Sequence, residues 1–164
     1  MAYAVHNLVG AQAINLNSTV KQHPLGTIVK ATDPTYGEGE FIYLTGVAST
    51  AVGSVVEYNS ITGATVLAAV GGNQPLPLAI AMSACVASEY GWYQISGNAV
   101  VAKQCTVSLA AGAAVGVLST GLIAGTGSGK EVQGAVVAAV ASAKAGRTTV
   151  VVCMDRPHMQ GRVT

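Results

Sequence analysis

The stretch ASEYGWYQISGNAVV, residues 87–101, gathers Tyr90, Trp92 and Tyr93 into four positions of a 164-residue chain whose aromatic content is only 5%. Its local chemistry reads as strand. Residues 91–96 and 98–103 are rich in aromatic and β-branched side chains, and Ser96-Gly97-Asn98 between them supplies a glycine able to take the positive φ of a tight hairpin. If 91–96 is a strand, Trp92, Gln94 and Ser96 face one way while Tyr93 and Ile95 face the other. Large side chains on both faces call for cover on both. One ring is expected to fill a core left thin by the many Ala and Val side chains. Another is expected to meet a neighbouring strand such as Phe41-Ile42-Tyr43, or an adjoining subunit.

Outward from this stretch, short apolar runs alternate with Gly, Asn, Ser and Pro. Strands are expected over 26–32, 40–45, 53–58, 64–70, 77–83, 113–118 and 147–154, and also within the Ala- and Val-rich segment 132–143. Asn59-Ser60-Ile61-Thr62-Gly63 reads as the loop of a second hairpin. This spacing points to an all-β fold, a compact β-sandwich or β-barrel with an extended N-terminal arm. The expected organisation is an arm over 1–25, closed by Pro24 and ordered on a partner, then a single β-rich domain over 26–155 and a C-terminal tail over 156–164.

Charged residues make up 9% of the chain against a usual share of about 25%, and 51% of residues are hydrophobic. Mean hydropathy is +0.49. So bare a surface fits a membrane protein, an aggregation-prone fragment or a chain that buries much of itself in an assembly. The uncharged run 58–88 is broken by Asn59, Gly63, Gly71, Gly72, Asn73, Pro75 and Pro77, so it does not read as a membrane span. One Trp, six Tyr and one Phe are thin material for the aromatic girdles of a membrane barrel. The opening MAYAVHNLVG has no basic residue ahead of its apolar stretch and does not read as a signal peptide. A soluble protein made in the cytoplasm is expected. Acids outnumber bases up to Lys103, whereas Lys130, Lys144, Arg147, Arg156 and Arg162 outnumber Glu131 and Asp155 beyond it. Those cations are too dispersed for a nucleic-acid footprint. Arg156 and Arg162 are expected instead to make electrostatic contacts with an acidic neighbour.

Candidate chemistry is sparse. Cys85, Cys105 and Cys153 are widely separated, without a CxxC pair or histidines at zinc-binding spacing, and read as small apolar residues, with no metal expected. Gly125-Thr126-Gly127-Ser128-Gly129-Lys130-Glu131 lacks the first glycine of a phosphate loop and sets Glu131 where a hydroxyl is needed, so it reads as a surface turn. His6 and His23 lie in the arm and His158 in the tail, where preorganisation is poor. Glu38 and Glu40 would share one face of a strand, yet flank Gly39 at a turn. No catalytic residue, cofactor or enzyme activity is expected.

The segments LGTIVKATDPTYGEGEFIYLTGVASTAVGSVVEYN (25–59) and PLAIAMSACVASEYGWYQISGNAVV (77–101) resemble a family of tailed-bacteriophage capsid decoration, or cement, proteins. The resemblance is carried by Asp33-Pro34-Thr35-Tyr36-Gly37 and by Tyr90-Gly91-Trp92-Tyr93-Gln94-Ile95. It implies a non-enzymatic structural protein on the outer surface of the virion capsid, bound at junctions between major capsid proteins and stabilising the expanded shell. Its partners would be the major capsid protein and further copies of itself, as a dimer or trimer, without nucleic acid or membrane. Tyr36, Phe41, Trp92 and Tyr93 would fix the fold or an interface. Two alternatives come from other classes. One is a carbohydrate-binding or host-adhesion module that stacks sugars on Trp92 or Tyr93. The other is a small hydrolase using Cys85 or Cys105.

Overall fold

The computed structural model describes residues 4–5, 10–69, 75–104, 106–119, 121–143 and 148–161. Twelve strands connect into one sheet system, and no helix occurs among the described residues. In chain order they are β1 (Ala4–Val5), β2 (Asn17–Ser18), β3 (Ile28–Asp33), β4 (Gly37–Thr45), β5 (Val55–Tyr58), β6 (Thr65–Leu67), β7 (Leu78–Ala81), β8 (Tyr90–Lys103), β9 (Ala114–Ser119), β10 (Leu122–Gly125), β11 (Glu131–Val137) and β12 (Thr148–Met159). The chain is all-β, as its composition implies.

The long strand β8 organises everything else. Its first half has β4 along one edge, with Tyr43 opposite Trp92 and Ile42 opposite Tyr93. On the other edge β7 pairs at Tyr93 and Gln94, and β2 pairs at Tyr90 and Gly91. Beyond β4 the sheet continues through β3 to β1, and beyond β7 through β5 to β6. The second half of β8 pairs antiparallel with β12 from Ser96 to Lys103. From there the ladder runs β12 to β11, β9 and β10, and returns to β8 through a parallel pairing of Ile123 with Lys103. Five strands thereby close a ring, which decides for a barrel over a sandwich.

Alternation fills the ring. Val150, Val152 and Met154 of β12 point inward with Ala99 and Val101 of β8, and meet Val115, Val117, Ile123, Val132, Ala135, Val137 and Met159 in one aliphatic core. Two smaller cores flank the first half of β8. Tyr93 and Ile95 pack with Ile42, Leu44, Val56, Ala79, Ala81 and Cys85 on one face. Trp92 packs with Phe41, Tyr43, Val29, Ala31, Met82 and Ile14 on the other. The two aromatic neighbours therefore face opposite ways, as period two requires.

Three expectations are corrected. Ser96-Gly97-Asn98 is not a hairpin: β8 runs straight through it, and Gly97 uses its positive φ of 93° within the strand. A Cβ on Gly97 would lie 2.5 Å from the Glu38 carbonyl oxygen, so close approach of β4 is what the glycine permits. Residues 156–159 are not a tail but the end of β12, with Met159 fully buried. There Arg156 takes φ 44°, and β11 answers with Gly134 at φ 75°, a paired irregularity that lets the strand continue through Pro157. Residues 10–25 do not wait for a partner to order them; they lie on the body of the protein, with Ile14 only 1% exposed. By contrast the loop at 59–63 is the expected hairpin connection, its Asn59 side-chain oxygen accepting from the Ile61 and Thr62 amides.

Candidate functional site

The rings that prompted an interface reading form a clamp for residues 10–25. Trp92 and Tyr43 meet edge to face with centroids 5.0 Å apart, and His23 sits 5.1 Å from Tyr43 and 5.4 Å from Trp92. The Trp92 indole N–H donates to the Gln12 carbonyl at 2.9 Å, and the Tyr43 hydroxyl donates to Gln12 Oε1 at 3.1 Å. The Gln22 amide donates to the Tyr43 hydroxyl oxygen, and the Gln12 amide to His23 Nε2. Burial pushes the Tyr43 phenol above its ordinary range, although the Gln22 amide works the other way. Phe41, Trp92 and Tyr93 are all completely buried. Their duty is to hold the fold and seat the N-terminal segment. That segment in turn presents Leu16 and Val20 to solvent, 54% and 65% exposed.

Burial also disposes of the proposed alternatives at these residues. A sugar needs an open ring face, and neither Trp92 nor Tyr93 has one. Cys85 is buried beside Tyr93, and desolvation raises its thiol to about 11, leaving almost no thiolate at neutral pH. The Tyr93 phenol is pushed up for the same reason and donates to the Thr45 carbonyl. Cys105 lies outside the described residues.

Tyr36 lies in the β3–β4 turn. Asp33 shapes that turn by accepting the Thr35 and Tyr36 amides at 2.7 and 2.8 Å, and Gly37 closes it at φ 82°. Asn98 of β8 donates to the Tyr36 carbonyl, tying the turn to the barrel. Next to it, Lys30 lies 3.9 Å from both Glu38 and Glu40, and Arg156 Nη2 lies 2.8 Å from Glu40 Oε2. Ser96 pairs with both Glu40 and Asp155, so β8 brings β4 and β12 together at this ion cluster. Glu38 and Glu40 are thus tied to cations and do not stand as an acid–base pair. Arg156, expected to reach a neighbour, bridges two strands of its own chain, and Arg162 lies outside the described residues.

The outward face of β8, β12 and β11 has a different character. Register sets Cys153 between Asn98 and Val136, and Val151 beside Val100. Val136 is 45% exposed and Val140, just past β11, is 73% exposed. An open groove of about 750 Å³ runs here, lined by Tyr36, Val100, Val140, Thr149 and Val151 among others. Among the described residues no charged side chain lines this groove, and exposed Asp155 lies further along β12.

Lys103 went unremarked in the sequence. It ends the inward series Ala99, Val101, Lys103, is 1% exposed, and donates to the carbonyls of Gln104 and Val107. The period-two pattern of β8 is the signal that points it inward. Among the described residues no group of three or more His, Cys, Asp or Glu side chains assembles. No helix there is long and apolar enough to cross a membrane. No protein-family model, curated protein or solved structure matches this chain.

Proposed function

We propose that the protein is a capsid decoration protein, bound to the outside of an icosahedral phage head at junctions between major capsid proteins and cementing the expanded shell. The observation that carries this reading is the clamped N-terminal segment. Trp92 and Tyr43 fix it by hydrogen bonds to Gln12 and Gln22, yet Leu16 and Val20 are left facing solvent. A contact ridge ordered before binding loses little conformational entropy on docking, and many identical copies sum their contacts over a shell. A charge-poor surface supports the same duty, because apolar contact with the shell incurs little desolvation of charges.

Co-sedimentation with expanded, decoration-free heads tests the reading. Saturable binding at a fixed whole-number ratio to the major capsid protein is expected, and Leu16→Asp with Val20→Asp is expected to weaken it by at least roughly tenfold while leaving the fold intact. Absence of wild-type binding at every salt concentration overturns the proposal. Normal binding by the double variant would instead leave the shell reading standing and remove the ridge from it.

A further inference from the structure

We infer that His23 is a proton-sensitive latch on residues 10–25: neutral, it holds the segment closed through the Gln12 amide, and protonated, it lets the segment go. The inference rests on the clamp alone and survives failure of the shell reading.

Gln12 is the residue through which the clamp works. Its carbonyl accepts from the Trp92 indole at 2.9 Å, and its side-chain oxygen accepts from the Tyr43 hydroxyl at 3.1 Å. Its side-chain nitrogen donates to the Leu16 carbonyl at 2.7 Å. The remaining group, the backbone amide, donates to His23 Nε2 at 3.1 Å and so ties together two points 11 positions apart in the segment. An amide N–H can only donate. Nε2 must therefore offer a lone pair, which places the ring proton on Nδ1.

Imidazole is the side chain that ordinarily takes up a proton between about pH 5 and 8. Once it does, both ring nitrogens carry hydrogen and neither can accept. The Gln12 amide then faces an N–H. Either the ring turns away or Gln12 withdraws, taking with it the acceptors of Trp92 and Tyr43. Cation–π attraction can keep the charged ring beside Trp92 and Tyr43, but it returns no acceptor to the amide. Clamping and protonation thus oppose each other, so the segment is held most firmly at high pH and loosens as pH falls.

The surroundings do not cancel this effect. Among the described residues no carboxylate forms an ion pair with His23, so nothing compensates the charge in place. Tyr43 on β4 and nearby Cys85 hold their protons throughout, because burial raises both. Tyr90 of β8 packs against the same core, and Lys21 on the segment itself is exposed. Glu89, just before β8, accepts from the Asn17 side chain and forms a second catch, which a separate variant distinguishes from the first.

The test is hydrogen exchange at the Gln12 amide and the Trp92 indole, followed by NMR at about pH 7.5 and about pH 5.5 and corrected for the intrinsic pH dependence of exchange. Protection at both sites is expected to fall roughly tenfold or more at the lower pH, while the amides of the β8–β12 ladder keep theirs. His6→Gln with His158→Gln, and separately Glu89→Gln, should leave that fall in place. His23→Gln, whose side-chain oxygen accepts at any pH, should abolish it. Unchanged protection in the wild type overturns the proposal. So does a fall that persists in His23→Gln, or one that vanishes in the Glu89 or His6/His158 variants. Should His23→Gln be unclamped at both pH values, titration of the wild type decides: a common midpoint for the His23 ring and Gln12 amide signals supports the latch, and separate midpoints overturn it.

Discussion

Trp92 does two jobs with one side chain. Its ring fills the core under residues 10–25, and its N–H holds Gln12 in place. Trp92→Ala should therefore cost roughly 3–5 kcal/mol through lost burial and the cavity left behind, read by urea denaturation. Trp92→Phe keeps most of the apolar burial but leaves the Gln12 carbonyl without its donor, for a loss of about 1–3 kcal/mol. Glu57 sets a different test. It is 8% exposed on β5, and burial raises its carboxyl above the ordinary value. The folded chain then holds this proton more tightly than the unfolded chain, so the contribution to stability is fullest at pH below the unfolded pKa and is lost as pH rises through the raised folded value. Glu57→Gln should flatten that part of the Tm–pH curve and raise Tm at neutral pH. The opposite faces of Trp92 and Tyr93 were legible from alternation. Gln12, 80 positions from Trp92, was not, because a contact so distant leaves no local pattern to read.

At the scale of elements, β8 shows why local chemistry misleads. Ser96-Gly97-Asn98 has hairpin residues, and Gly97 does adopt positive φ, yet pairing decides its use. The β4 and β12 pairings overlap at Ser96, so the glycine sits where both partners crowd one continuous strand. Gly97→Ala forces a Cβ against the Glu38 carbonyl and should destabilise by about 1–3 kcal/mol, with the loss visible as a lower urea midpoint at unchanged slope. The end of β12 was misread for a related reason. Asp155-Arg156-Pro157 carries every local sign of a terminus, but the Gly134 irregularity in β11 and burial of Met159 override it. Short β10, Leu122–Gly125, escaped notice because four residues flanked by glycines give too little period to detect.

For the molecule as a whole, the β class could be read from composition and turn spacing, but barrel closure could not, since it depends on β8 meeting β12 and β10. Such non-local pairing predicts slow folding, on the order of milliseconds to seconds in stopped-flow refolding of the single tryptophan. The ion pairs at Lys30, Glu38, Glu40 and Arg156 all involve solvent-exposed partners. Salt should accordingly matter little: raising NaCl from about 0.05 M to about 0.5 M is expected to move Tm by less than about 2 °C. A larger shift would mean that electrostatics holds the body together more than its aliphatic core does.

Ring closure also imposes an order on biosynthesis. The second half of β8 leaves the ribosome with its β12 edge unpaired, and everything from Gln104 to Arg147 must be translated before Thr148 arrives to cover it. Throughout that interval the nascent chain displays a Val-rich strand with open backbone donors and acceptors, a template that neighbouring chains on the same messenger can join. Stalled or truncated products ending before β12 are thus the forms expected to aggregate, and yield in the cell should respond to translation speed across 104–147 more than to the stability of the finished barrel.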